Sequence, residues 1–216
     1  MPNRSLKPEM MDSDDISEAD RAQFHKDLKL VHRLLGDLRS IVHRIQRTTE
    51  PVRSVIDIGC GDGAALALIR DKVGAEVTGV DLRPPDQNSY GVPILQRDAT
   101  RDDLPPSDVA ISVLTLHHLT EEQVVKMIRN AARSSRRLIC LDLVRHPLPF
   151  ALFSLFIGPL IHKNAADDGR QSIRRAFQPA ELRALVAEAL NGTPATFEHE
   201  VSPYYAKQII DIRFEQ

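Results

Sequence analysis

The chain has 216 residues, 42% hydrophobic and 27% charged, a length and balance that suit one large domain, or one domain with a cap, around a substantial core. A formal net charge of −2 gives no general attraction to a phosphate backbone, so nucleic acid is not an expected partner. Two cysteines, Cys60 and Cys140, exclude a disulfide framework or a four-cysteine zinc site, and no metal is expected.

Residues 1–16 are polar and acidic without an apolar period, so they are expected to be unstructured and to carry no secretory signal. Ser17 and Asp20 then mark a helix start. Phe24, Leu28, Val31, Leu35, Leu38, Val42 and Ile45 form one stripe, bent or split at Gly36 and closed by Pro51. This makes residues 17–50 a helical cap. From 51 the rhythm becomes strand and helix: strands at Val52–Ile58, Glu76–Val80, Val92–Gln96, Val109–Val113 and Arg137–Leu143, and helices at Ala64–Lys72, Thr120–Ala132 and Gln178–Leu190. Ala195–Val201 and Tyr204–Ile212 read as a closing hairpin through Ser202-Pro203. The expected fold is α/β: a doubly wound, Rossmann-like, mostly parallel seven-stranded sheet with an antiparallel hairpin at the carboxyl end. The apolar run Pro147–Ile161 is too short, and too broken by prolines and a glycine, for the ~20 residues of a membrane span, so a cytoplasmic protein is expected.

Val55-Ile56-Asp57-Ile58-Gly59-Cys60-Gly61-Asp62-Gly63 leaves a buried strand, turns through three glycines and enters a helix. Glycines suit a turn that needs positive φ and close ligand approach. Asp57, at the strand end, is costly to bury unless it faces an ammonium group or a polar loop backbone. Asp57 and Asp62 would repel a dinucleotide pyrophosphate, which disfavours a dehydrogenase. Asp81 ends the next strand, near the ~20-residue offset of a carboxylate that holds ribose hydroxyls.

Asp57-Ile58-Gly59-Cys60-Gly61-Asp62-Gly63 resembles the D-x-G-x-G-x-G motif of class I S-adenosylmethionine-dependent methyltransferases. The resemblance continues through Asp81, Gln96-Arg97-Asp98-Ala99 and Leu114-Thr115-Leu116-His117-His118-Leu119, and covers about residues 53–143. It implies S-adenosylmethionine as cofactor. Gly59, Cys60 and Gly61 would then line the methionine part, with Asp57 ordering the loop or the amino group. It further implies Asp81 on the ribose, Leu82 beside the adenine, Asp98 accepting from the adenine amino group, the Ala99 N–H on a ring nitrogen, and Leu114 beside the cofactor. Pro84-Pro85 depart from the pattern and predict a reduced or missing helix before the third strand.

Methyl transfer needs an oriented acceptor and, for a hydroxyl, a base. His117, then His118, are the base candidates after the fourth strand. Asp142, at the end of the fifth, would orient His117. A packing role for the paired histidines is the competing reading. The insertion at about 145–177 carries apolar side chains nearly all round its first half, so that half is expected to be buried, to contact a second copy in a homodimer, or to cover a lipophilic acceptor. Arg145, Phe150, Phe153, Arg174 and Arg175 are the acceptor-binding candidates, the arginines for an anionic or phenolate group. The expected activity is transfer of a methyl group to a small-molecule acceptor, O-directed onto a phenolic, quinone-like or polyketide compound. Protein- or RNA-directed transfer, or a noncatalytic binding protein of the same fold, are the alternatives.

Overall fold

The computed structural model describes residues 1, 3–10, 23, 27, 37–48, 50–85 and 90–215. The first helix, α1 (Asp37–Gln46), precedes β1 (Ser54–Ile58), α2 (Ala64–Val73), β2 (Glu76–Asp81), β3 (Ile94–Gln96) and β4 (Ser107–Val113). Then come α3 (Glu121–Ser134), β5 (Ser135–Leu143), α4 (Pro147–Leu152), α5 (Lys163–Arg175), α6 (Pro179–Leu190), β6 (Thr196–Val201) and β7 (Lys207–Arg213). The seven strands stand in the order β3-β2-β1-β4-β5-β7-β6. The first five are parallel, and β7 runs antiparallel between β5 and β6.

Alternate strand residues face opposite layers, which is why the central strands read as unbroken apolar runs. Ile56, Ile58, Ala110, Leu138 and Cys140 pack with Val124, Met127 and Ile128 of α3 and Leu182 and Val186 of α6. Val55, Val109, Ile111, Ile139 and Leu141 pack with Ile41 and Ile45 of α1 and Leu66 and Ile69 of α2. The cap residues therefore share one core with the sheet, each buried isoleucine contributing about 2 kcal/mol. The boundaries have local causes. Gly74 at φ 74° closes α2. Thr120 and Gln123 cap α3 reciprocally, each side chain accepting from the other's backbone N–H.

The predicted helix start at Ser17 and the bend at Gly36 lie outside the described residues, as do Phe24, Leu28, Val31 and Leu35. No helix forms among the described residues between β2 and β3, as Pro84-Pro85 require. Residues 3–10, expected to be unstructured, lie against α5 and the turn after β4, held by Arg4, Ser5, Glu9 and Met10. The apolar insertion is only partly covered within the chain. It passes from α4 through a wide turn at Phe153–Ile157 and a tight one at Gly158–Leu160, leaving Leu155 at 68% and Phe156 at 65% exposure. No helix among the described residues is long and apolar enough to cross a membrane.

One buried ion pair ties the antiparallel edge to the parallel sheet. Arg137 donates from Nε to Asp211 Oδ1 (2.8 Å) and from Nη2 to Oδ2 (2.6 Å), and Arg44 donates to the same carboxylate (3.3 Å). Removing one partner strands the other in low dielectric. Asp211→Ala should therefore cost about 3 kcal/mol or more, read as a lower urea midpoint at unchanged slope.

Candidate functional site

The carboxyl ends of β1, β2, β4 and β5 meet at one edge of the sheet. After β1 the chain reverses at Gly59, whose N–H donates to Val80 O (2.7 Å) at φ 78°. A Cβ there would lie 2.4 Å from the Thr115 side chain, so only glycine lets the turns after β1 and β4 touch. Gly61, at φ 53°, faces open space, and its N–H donates to Asp81 Oδ2 (2.8 Å). Asp81 Oδ1 accepts from Arg83 N (2.8 Å), so the carboxylate at the end of β2 clamps the glycine turn directly. The Cys60 side chain packs inward against Gly79, and burial pushes its thiol well up, which leaves only its backbone facing the turn.

Asp57 is buried at 2% exposure, and its Oδ1 has no hydrogen-bond partner among the described residues. Burial, then the negative charge of Asp81, push its carboxyl up to about 8. A buried acid with an unpaired oxygen beside a glycine turn has the chemistry to receive a cationic group such as an amino group. Leu82 is exposed beside Asp81, as an apolar wall for a planar ring must be. Asp98 Oδ1 accepts from Thr100 N (2.9 Å) and Oγ1 (2.6 Å), and Oδ2 lies 3.7 Å from Arg101 Nε. The Thr100 bonds hold its carboxyl below the usual range. Ala99 gives its carbonyl to Asn130 Nδ2 (2.8 Å). Leu114 sits at φ 55°, an unusual conformation for leucine, fixed by its N–H on Leu141 O (2.8 Å).

That strained residue turns the chain into the single turn Leu116–His118. His117 is buried at 3% exposure. Its N–H donates to Asp142 Oδ2 (3.0 Å), and Nδ1 lies 2.6 Å from Oδ1. Burial alone would raise the Asp142 carboxyl. His117 and the N–H groups of Leu143 and His117 outweigh it and hold Asp142 below its ordinary value. An ionised Asp142 only accepts, so Nδ1 carries the hydrogen and the lone pair is left on Nε2, which lies 3.8 Å from Glu9 Oε1. The His118 ring is tilted against His117, centroids 4.2 Å apart, and is half-buried.

The predicted arginines divide. Arg175 is buried and donates to His117 O (3.2 Å) and His118 O (3.1 Å), so it positions the histidine turn. Arg174 lies over the Phe150 ring (4.6 Å), and Phe153 packs on Gly169. Arg145 is fully buried against Glu181 (2.5 Å) and donates to Met1 O (3.3 Å), which takes its charge away from the histidines. Sequence reasoning missed Arg4 and Glu9. Arg4 donates to His117 O (2.9 Å) and Leu119 O (2.7 Å), and Glu9 lies beside both histidine rings.

The profile described as a methyltransferase domain matches residues 55–137. No curated protein matches the sequence. Among solved structures, the plantazolicin methyltransferase BpumL, in complex with a monoazolic desmethylPZN analog and SAH, superposes at TM-score 0.72 with 13% identity, over 92% of this chain and 91% of that one. The methyltransferase domain of bacterial CtHen1-C gives 0.60 and 15%, over 83% and 97%. Human N-acetylserotonin methyltransferase in complex with SAM gives 0.64 and 19%, over 93% of this chain and 57% of that one. Identities this low establish the shared fold and say nothing of the acceptor.

The raised Asp57 carboxyl has a consequence for stability without any ligand. Its folded value of about 8 lies above the unfolded ~3.9, so folding holds a proton that the unfolded chain releases. Stability should fall by about 2 kcal/mol or more as pH rises from ~4 to ~8, then level off, and Asp57→Asn should flatten that slope. Urea melts of both proteins across this range would read it.

Proposed function

We propose that this chain, whose residues 55–137 belong to the methyltransferase-domain family and whose sheet is that of the class I S-adenosylmethionine-dependent methyltransferases, methylates a hydroxyl of a small-molecule acceptor. The carrying observation is the 2.6 Å contact between His117 Nδ1 and Asp142, one strand away from the glycine turn. S-adenosylmethionine, when bound, supplies an already activated methyl group, so the protein's work is to place the acceptor and take its proton. Asp57 would receive the amino group, Gly59 and Gly61 the methionine chain, Asp81 the ribose and Leu82 the adenine. His117 would receive the proton at Nε2, Asp142 fixing the ring and balancing the charge that forms.

A phenolic, quinone-like or polyketide acceptor fits this machinery, since a weakly acidic hydroxyl needs one base and no further activation. Phe150 and Phe153 lie on the insertion that follows β5, with Arg174 over the first of them, and supply aromatic surface near the same end of the fold. Nothing on the turn after β4 would clamp the exocyclic amine of a nucleobase.

Three measurements test this. Calorimetric titration with S-adenosylhomocysteine should show binding, and Asp81→Ala should weaken it at least ~10-fold; full-strength binding by that variant would remove the ribose assignment. Asp142→Asn should bind S-adenosylhomocysteine as the parent does yet lose about 10²–10⁴-fold in kcat, because the amide favours the wrong imidazole tautomer. Labelled S-adenosylmethionine incubated with the protein and a size-fractionated cell extract should label small molecules; label confined to polymer would sink the small-molecule reading.

A further inference from the structure

His117 has a second carboxylate beside it. Glu9, buried at 5% exposure, sets Oε1 3.8 Å from His117 Nε2 and Oε2 4.0 Å from His118 Nε2. Its segment is held from several directions. Arg4 donates to the carbonyls of His117 and Leu119, and its guanidinium lies 3.8 Å over the Phe177 ring. Ser5 N donates to Arg174 O (3.0 Å), Gln171 Nε2 to Lys7 O (2.6 Å) and Met10 N to Asp168 Oδ1 (2.8 Å). The two carbonyls that Arg4 grips belong to the histidine turn itself, so segment and base are fixed relative to each other.

Glu9, His117 and His118 are also, by residue type, a ligand set for a cation. Two features favour charge stabilisation over coordination. The 3.8 and 4.0 Å separations exceed the ~3.4 Å edge of a tetrahedral shell built on ~2.1 Å bonds. Arg175 Nε also stands 3.8 Å from Glu9 Oε1 as a counter-charge already in place.

We propose that Glu9 is a positioning residue of the methyl-transfer reaction, holding from the Nε2 side the positive charge that His117 gains on taking the acceptor's proton. This rests on the reading of His117 as the base. In that step the acceptor's O–H bond breaks and its proton passes to Nε2. The oxygen's electron pair forms the bond to the methyl carbon, and the pair of the broken carbon–sulfur bond stays on the donor's sulfur. The resulting imidazolium then stands between two carboxylates, Asp142 of β5 at Nδ1 and Glu9 of residues 3–10 at Nε2. His118 lies against its ring, and Arg4 and Arg175 sit on its backbone carbonyl. The two carboxylates face the ring nitrogens, while Arg4 and Arg175 lie on the His117 backbone carbonyl and Arg175, 3.8 Å from Glu9 Oε1, offsets part of that carboxylate's charge.

The test reads the ring directly. Side-chain imidazole NMR, on protein saturated with S-adenosylhomocysteine and with the His117 signal assigned by its loss in His117→Gln, gives the pKa of this one histidine among eight. Glu9→Gln should lower it by about one unit, and Glu9→Asp, which keeps the charge, should restore at least half of that shift. With a hydroxyl acceptor, Glu9→Gln should lose about 10- to 100-fold in kcat with KM little changed, and the acidic limb of its kcat/KM profile should move to lower pH. An unchanged His117 pKa in a folded Glu9→Gln protein overturns the proposal. So does a rise in that pKa, or a titration that appears only then, in the parent protein after exhaustive treatment with a chelator, which would make the three side chains a metal site. A shifted pKa in a protein that methylates no small molecule would uphold the Glu9–His117 coupling while removing the acceptor reading.

Discussion

The site depends on the parallel register of β2, β1, β4 and β5. Parallel strands place their carboxyl ends on one edge, and here that edge receives Asp81, Asp57, the histidine turn and Asp142 side by side. The pairing of Val113 with Leu141 sets the last residue of β4 one step short of Asp142's level, so the next turn of chain drops His117 onto that carboxylate. Leu114 bears the strain of the change in direction, at φ 55°, and the Leu141 carbonyl holds it there. The backbone distortion and the placement of His117 therefore share one cause. Strain that persists at a strand end persists because the neighbouring strand over-determines it.

What could be read in the sequence was whatever leaves a periodic or spaced trace. The strands show as β-branched runs, the first turn as alternating glycines, and the acid of β2 by its offset from that turn. The pairing of His117 with Asp142 followed once β4 and β5 were neighbours, since each residue lies just at or past a strand end. The local bonds of Asp98 to Thr100, two residues on, carry no signature apart from the residue types. Nor does the partner of Arg145, since Glu181 lies 36 residues away on α6.

Residues 3–10 show the opposite limit. Arg4 and Glu9 act singly, through one guanidinium on two carbonyls and one carboxylate beside two rings, and single polar contacts produce no hydrophobic period. A short polar stretch of that composition reads as unstructured because its order is borrowed entirely from the surface it lies on. The same holds for Arg175, whose position at the end of an amphipathic helix gives no hint that it grips the histidine turn.

These buried charges bear on how the molecule divides stability from function. Asp57, Asp142, His117, Arg175 and Glu9 are each largely withdrawn from water at one edge of the sheet, where apolar side chains of like volume would hold the fold at least as well. Buried charge is not confined to that edge, since Arg137 and Asp211 pair away from it, but there each charge has its partner, whereas Asp57 Oδ1 has none among the described residues. The unpaired oxygen of Asp57 is the extreme case: burial leaves its charged form without a hydrogen-bond partner among the described residues, so the carboxyl keeps its proton up to about pH 8, and the same group weakens the fold as pH rises.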